Sequence, residues 1–170
     1  MEVALKDVGK LGPLAVVLGV VGIVLVWMLT RQMALGTWLL AAFLLGHGLV
    51  HVMFAVPAPA GAEASAEYPF DPARSWLVTS NLLGIGTLKI IVVALVAAVV
   101  IGYALTALAT VGILVPADWW PGLLIASTIG SLVLMVIGLA PNLLLGVAID
   151  VVLLWAAFAS AWSPTSAGVA

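Results

Sequence analysis

Residues 88–110 read LKIIVVALVAAVVIGYALTALAT, and this stretch decides the fold class. Lys89 is its one charged side chain, and it contains no proline that would interrupt a helix. An α-helix needs about 20 consecutive apolar residues to cross the hydrocarbon core of a bilayer. A strand of a membrane β-barrel would instead alternate polar and apolar side chains. The continuous apolar run therefore predicts a transmembrane helix.

The rest of the chain has the same apolar character. Of its 170 residues, 65% are hydrophobic and 7% are charged, and the mean hydropathy is +1.36. A soluble domain usually has about 25% charged residues, so most of these apolar side chains must face lipid. Backbone groups in lipid must hydrogen-bond to one another. The sequence therefore predicts an all-α, polytopic membrane helix bundle, which we assign to a single membrane domain covering residues 1–170.

The composition also excludes several classes of function. The net charge of −2 does not provide the basic surface of a nucleic-acid-binding protein. The absence of cysteine excludes disulfides, zinc–thiolate sites and iron–sulfur clusters. The sequence contains no P-loop, dinucleotide-binding fingerprint or nucleophile elbow. These observations favour a protein that is not an enzyme.

Apolar segments separated by short polar connections predict about five transmembrane helices, at residues 11–30, 34–56, 88–110, 122–140 and 143–162. The long connection, residues 57–75, is rich in alanine and proline. Two lysines precede the first segment, as in a signal peptide, but no A-x-A cleavage site follows it. We therefore predict that the first segment is a retained signal anchor.

The positive-inside rule predicts the orientation of the bundle. Lysines and arginines near the ends of the segments accumulate on the cytoplasmic side. A cytoplasmic N-terminus places Lys6, Lys10, Arg74 and Lys89 inside and Arg31 outside. We therefore predict an integral protein of a prokaryotic plasma membrane with its N-terminus in the cytoplasm.

Rows of small residues predict where the helices pack, because membrane helices associate through close backbone approach. Two segments carry such rows at four-residue spacing. In segment 88–110 the row is Ala94, Ala98, Gly102 and Thr106, and in segment 122–140 it is Gly122, Ala126 and Gly130. These rows predict a tight bundle, formed within one chain or between copies.

Ionisable side chains within a transmembrane segment are costly and usually functional. Four occur here, and they are His47, His51, Lys89 and Asp150. The two histidines belong to the sequence H-G-L-V-H, and their spacing of four places both rings on one helical face. Such a pair can bind a transition metal ion. It can equally form hydrogen bonds to neighbouring helices.

Asp150 is predicted to lie at a depth compatible with the two histidines, in the same half of the membrane. With a rise of about 1.5 Å per residue, His51 lies roughly 8 Å and His47 roughly 14 Å from the membrane face that carries the long connection. Asp150 lies about 11 to 14 Å from that same face. Two imidazoles and one carboxylate at matching depth predict a metal site or a short proton relay.

Lys89 has two interpretations. It shares a helical face with Val96 and Tyr103, opposite the row of small residues, which predicts that it faces lipid and extends to the interface. Alternatively, it forms an ion pair with Asp150. Further polar side chains are candidates to line the pocket around Asp150, namely Asn81, Asn142, Ser127, Thr128 and Ser131. Hydroxyls in membrane helices usually bond to their own backbone, which argues against the last three.

Three functional hypotheses follow from the sequence. The first is a non-enzymatic accessory or assembly subunit, because the chain is small and has no catalytic motif. The second is a small oligomeric transporter or channel that uses Asp150. The third is a protein that binds a transition metal or haem through His47, His51 and Asp150. The expected partners are the lipid bilayer and either further copies of the chain or other membrane subunits, with no nucleic acid.

Overall fold

The computed structural model describes residues 34–56, 71–138 and 143–159, and these ranges are helical without any strand. Within these ranges the α-helices are α1 (Ala34–Val50), α2 (Trp76–Thr79), α3 (Ile85–Thr110), α4 (Trp120–Gly138) and α5 (Leu144–Ala159). Short 3₁₀ turns extend or precede them at His51–Ala55, Pro72–Arg74 and Ala117–Trp119. The all-α prediction is confirmed.

Among the described residues, three helical segments are long and apolar enough to cross a membrane, namely Leu35–Ala55, Ile85–Thr110 and Ala117–Gly138. The helix at Leu144–Phe158 is apolar but shorter. These helices are compatible with an integral membrane protein. The predicted first span, residues 11–30, lies outside the described residues. Nothing in the structure tests the predicted orientation or the single domain, which stay predictions.

Helix α3 has clear start and stop signals. It begins at Ile85, three positions before the predicted start, because Gly84 has an extended backbone and serves as its N-cap. At the other end Gly112 has a positive φ of 68°. The N–H of Ile113 bonds to the carbonyl of Leu108 and that of Gly112 to the carbonyl of Ala109. This is a Schellman motif, which favours glycine at the left-handed position.

The end of the long connection is attached to helix α4. Ser75 caps the short helix α2, and its hydroxyl donates to the carbonyl of Ile137 over 2.9 Å. The indole N–H of Trp76 donates to the carbonyl of Val136, also over 2.9 Å. Both carbonyls belong to the last turn of α4, where a helix has no partners of its own for them. The attachment therefore satisfies carbonyl groups at the end of α4.

Helix α3 packs against both α1 and α4, and α5 packs against α4. The packing faces differ from those predicted from small residues. Ala94, Ala98 and Ala126 are exposed, whereas Gly102 lies against Ser127 and Gly130 lies against Val99. The predicted rows are therefore wrong in part.

The physical reason for this difference is the polarity of the buried faces. Buried hydroxyl and carboxyl groups of α3, α4 and α5 need partners, so these helices turn their polar faces towards one another. The prediction that the face of α3 with Lys89 points towards lipid is also wrong in part. Val96 and Tyr103 are buried although Lys89 is exposed, because α1 covers the part of α3 that contains them.

Candidate metal centre

The structure brings the three predicted ligands together. His47, His51 and Asp150 each offer one ligand atom, and these atoms lie within 4.8 Å of one another. His47 Nε2 lies 2.9 Å from Asp150 Oδ1 and donates a hydrogen bond to it. The side chain of Asp150 is 0% exposed, that of His47 is 8% exposed, and His51 is 1% exposed. Two helices distant in sequence therefore supply a buried set of two imidazoles and one carboxylate.

The local backbone orients the ring of His51. This residue begins the 3₁₀ turn that continues α1, and its Nδ1 lies 2.9 Å from the carbonyl oxygen of His47. A carbonyl only accepts, so Nδ1 must carry the hydrogen. The other nitrogen, Nε2, therefore points away from its own helix and lies 2.6 Å from Ser131 Oγ on α4. Metal-binding histidines are commonly oriented by such a backbone contact.

Ser131 connects His51 to Asp150. Its hydroxyl lies within hydrogen-bonding distance of both His51 Nε2 and Asp150 Oδ2. A neutral His51 with its hydrogen on Nδ1 and an ionised Asp150 would both present acceptors to Ser131, which has one hydrogen to donate. Both contacts are hydrogen bonds only if His51 or Asp150 carries one further proton. A metal cation bound at His51 Nε2 would instead replace the contact between His51 and Ser131.

Tyr103 completes the cluster from α3. Its hydroxyl donates to Asp150 Oδ1 over 2.9 Å and lies 3.2 Å from Thr128 Oγ1. Its ring lies edge-on to that of His47, with centroids 5.0 Å apart, and is stacked on that of His51 at 6.1 Å. We call these five residues the polar cluster: His47, His51, Tyr103, Ser131 and Asp150.

The sequence interpretation missed Tyr103, which it placed on a face towards lipid. A signal was present in the sequence. Tyrosine prefers the membrane interface, where its hydroxyl reaches water. Tyr103 instead lies well inside an apolar segment, so its hydroxyl requires a protein partner. A mid-span tyrosine should therefore have been counted with the ionisable residues.

The remaining candidates have different surroundings. Lys89 is exposed, and the ion pair described at Asp150 is with His47, so the predicted Lys89–Asp150 pair is wrong. Asn81 is exposed in the turn before α3, with φ 56°, and is not a partner of the polar cluster. Asn142 lies outside the described residues.

The hydroxyls of α4 also divide into two kinds. Those of Ser127 and Thr128 donate to backbone carbonyls of their own helix, as membrane hydroxyls usually do. That of Ser131 contacts side chains of α5 and of the turn after α1. The expectation that membrane hydroxyls bond to their own backbone therefore holds for Ser127 and Thr128 and fails for Ser131.

The donor set has a definite chemical preference. Imidazole nitrogen suits zinc, copper, iron and nickel, whereas sites made only of oxygen suit magnesium and calcium. Two histidines with one carboxylate therefore fit a divalent transition metal ion. The rings of Tyr103 and the two histidines occupy the space beside the donor atoms, which favours a bare ion over haem.

Comparison of the chain with protein-family models, with curated proteins and with solved structures finds no match.

Proposed function

We propose that this chain is a multi-pass integral membrane protein that binds one divalent transition metal ion within its helix bundle. The observation that carries the proposal is the convergence of ligand atoms from His47, His51 and Asp150 within 4.8 Å. Burial supports it as well, because a carboxylate removed from water needs a compensating positive charge. A divalent cation bound to these three residues would supply that charge.

Metal binding requires a modest rearrangement of hydrogen bonds. His47 Nε2 now donates to Asp150 Oδ1, so it must lose or relocate its hydrogen before it can bind a metal. His51 Nε2 needs no such change when its hydrogen stays on Nδ1, where the His47 carbonyl accepts it. Ser131 Oγ, which contacts both His51 Nε2 and Asp150 Oδ2, then rotates away from these two ligand atoms. These changes involve hydrogen positions and one side-chain rotation.

A second candidate function is the accessory or assembly subunit, in which the polar cluster holds the helices together. It is favoured by the fact that each polar side chain of the cluster already has a hydrogen-bond partner. Polar side chains often join membrane helices in this way. The transporter or channel that would use Asp150 stays a prediction.

The test is the metal content of the purified protein. The full chain is extracted in mild detergent, and iron, copper, zinc and manganese are measured by plasma mass spectrometry. We expect about one metal ion per chain in the wild type and less than about a tenth of that in Asp150→Asn and in His51→Gln. The matched control is Ser127→Ala, which removes a buried hydroxyl outside the polar cluster and should leave the metal content unchanged.

The outcomes separate the two candidate functions. A wild-type protein that contains no metal, and takes up none when each ion is added in excess, would overturn the metal proposal and favour the subunit. An ultraviolet–visible spectrum recorded on the same sample tests the ligand class, and we expect it to lack the Soret band of haem.

A further inference from the structure

We infer that Tyr103 is a positioning residue that makes Asp150 bind the metal through one oxygen, Oδ2. This inference rests on the proposed metal site and adds the residue that sets its coordination number. Tyr103 contacts all three proposed ligands, since its hydroxyl bonds to Asp150 and its ring packs against both imidazoles. It is itself fully buried, with 0% of its surface exposed.

The two oxygens of Asp150 are held in different ways. Oδ1 accepts from Tyr103 and from His47, whereas Oδ2 accepts from Ser131. When His47 becomes a ligand, Tyr103 remains as the donor to Oδ1. The hydroxyl hydrogen of Tyr103 prefers the plane of its ring, and packing against both imidazoles holds that ring in place. The hydroxyl of Ser131 rotates freely about one bond, so Oδ2 is the oxygen that becomes available to a metal.

The glycine within H-G-L-V-H explains how Tyr103 reaches this position. A Cβ atom added at Gly48 would lie 2.6 Å from Tyr103 Cβ, which is far inside van der Waals contact. Glycine between the two histidines therefore allows the base of the tyrosine side chain to rest directly on α1. The ring then packs against both imidazoles, and its hydroxyl reaches Asp150 on α5.

The consequence is a site with three protein ligand atoms. A carboxylate that binds through one oxygen, together with two imidazoles, leaves at least one coordination position for water or another small ligand. A carboxylate that binds through both oxygens would fill more of the coordination sphere. Tyr103 therefore favours ions that accept four ligands, such as zinc and cobalt, over ions that require six oxygens.

The experiment uses Co²⁺ as the probe, because its visible spectrum reports coordination number. Four-coordinate Co²⁺ absorbs strongly in the visible range, from green to red wavelengths. This absorption weakens several-fold when the number of ligands rises to five or six. Metal-free full-length protein in detergent is titrated with Co²⁺. The variants are Tyr103→Phe, which removes only the hydroxyl, and Thr106→Val, a control that removes a buried hydroxyl of α3 outside the cluster.

We expect strong four-coordinate absorption in the wild type and in Thr106→Val. In Tyr103→Phe we expect weaker absorption and about tenfold weaker Co²⁺ affinity, which is the usual effect of losing a residue that orients a metal ligand. If Tyr103→Phe does not fold, Gly48→Ala provides the second test. Its added methyl group displaces the tyrosine and should weaken the absorption in the same way.

The two proposals fail in different ways. A wild type without any Co²⁺ absorption overturns the metal site and this inference with it. Strong absorption that is unchanged in Tyr103→Phe, or in Gly48→Ala where the first variant does not fold, overturns the role of Tyr103 and leaves the metal site standing.

Discussion

Two regions of the bundle bury similar polar groups and satisfy them in opposite ways. In the polar cluster, side chains of different helices bond to one another. Elsewhere along α3 and α4, the hydroxyls of Thr106, Thr110 and Ser127 each donate to the carbonyl four residues earlier in their own helix. We call these three residues the helix-bound hydroxyls.

The difference shows which buried polar groups determine how the helices are arranged. A helix-bound hydroxyl keeps its partner even if the neighbouring helix moves, so it does not fix where that helix sits. The bonds of the polar cluster exist only when α1, α3, α4 and α5 are all in place. The cluster should therefore be sensitive to substitution, and the helix-bound hydroxyls should be tolerant, although both regions are buried to the same extent.

The largest expected effect is that of Asp150→Ala. It removes the acceptor used by His47, Tyr103 and Ser131 and leaves three buried donors without it. Leaving a buried hydrogen-bond donor without its acceptor typically costs about 1 to 3 kcal/mol in the free energy of unfolding, and this substitution affects three donors. The measurement is equilibrium unfolding in mixed detergent micelles, with Thr110→Ala as control. Equal losses for the two variants would remove the distinction between the regions.

The next effect is that of Gly48→Ala. The added methyl group would meet Tyr103 Cβ, which is fixed to the backbone of α3 and cannot rotate away. Overpacking of this kind typically costs about 1 to 3 kcal/mol. Gly46→Ala on the same helix is the control, because nothing lies within 4 Å of its added methyl group. The thermal midpoint should fall for the first variant alone, and a fall in both would point to α1 itself.

A smaller effect is expected for Ser131→Ala. Bonds between membrane helices contribute about 0.6 kcal/mol on average and up to about 1.7 kcal/mol. Ser131 makes two such contacts, so we expect a loss of about 1 kcal/mol or more in the free energy of unfolding. Ser127→Ala on the same helix loses a bond to its own backbone and should lose less. The same micelle unfolding assay compares them, and a reversed order would contradict the comparison.

The smallest effect is expected for Gly102→Ala, on the side of the helix-bound hydroxyls. Its methyl group would meet the hydroxyl of Ser127, a side-chain end that can rotate. Alanine also has a higher helix propensity than glycine, by about 1 kcal/mol. We therefore expect a change within about 1 kcal/mol of zero, measured by the same unfolding assay. A loss as large as that of Gly48→Ala would show that α3 and α4 are as tightly constrained as α1 and α3.

Within the described residues, the sequence was sufficient to predict the long apolar helices, because continuous apolar runs leave few alternatives in lipid. The spacing of four and the rise per residue also placed the two histidines on one helical face and Asp150 at a compatible depth. The convergence of the three side chains comes from the structure alone.

The rest of the site depends on which face each helix turns inward, and an apolar membrane helix carries little signal for that. Helix α3 carries apolar side chains on all sides, so the guide to its inward face lay in a few polar side chains, with Tyr103 among them. The rows of small residues were a poor substitute, since Ala94 and Ala98 face outward. Tyr103 was therefore misplaced, and Ser131 could not be distinguished from Ser127 by residue type alone.

The order of the cluster residues along the chain has a consequence for biosynthesis. His47 and His51 are made first, Tyr103 and Ser131 follow, and Asp150 on α5 comes after all of them. Until the ribosome has passed residue 150 and α5 is in place, the imidazole of His47 and the hydroxyls of Tyr103 and Ser131 lack their common acceptor. The polar cluster is therefore incomplete for most of synthesis, and only the arrival of α5 completes it.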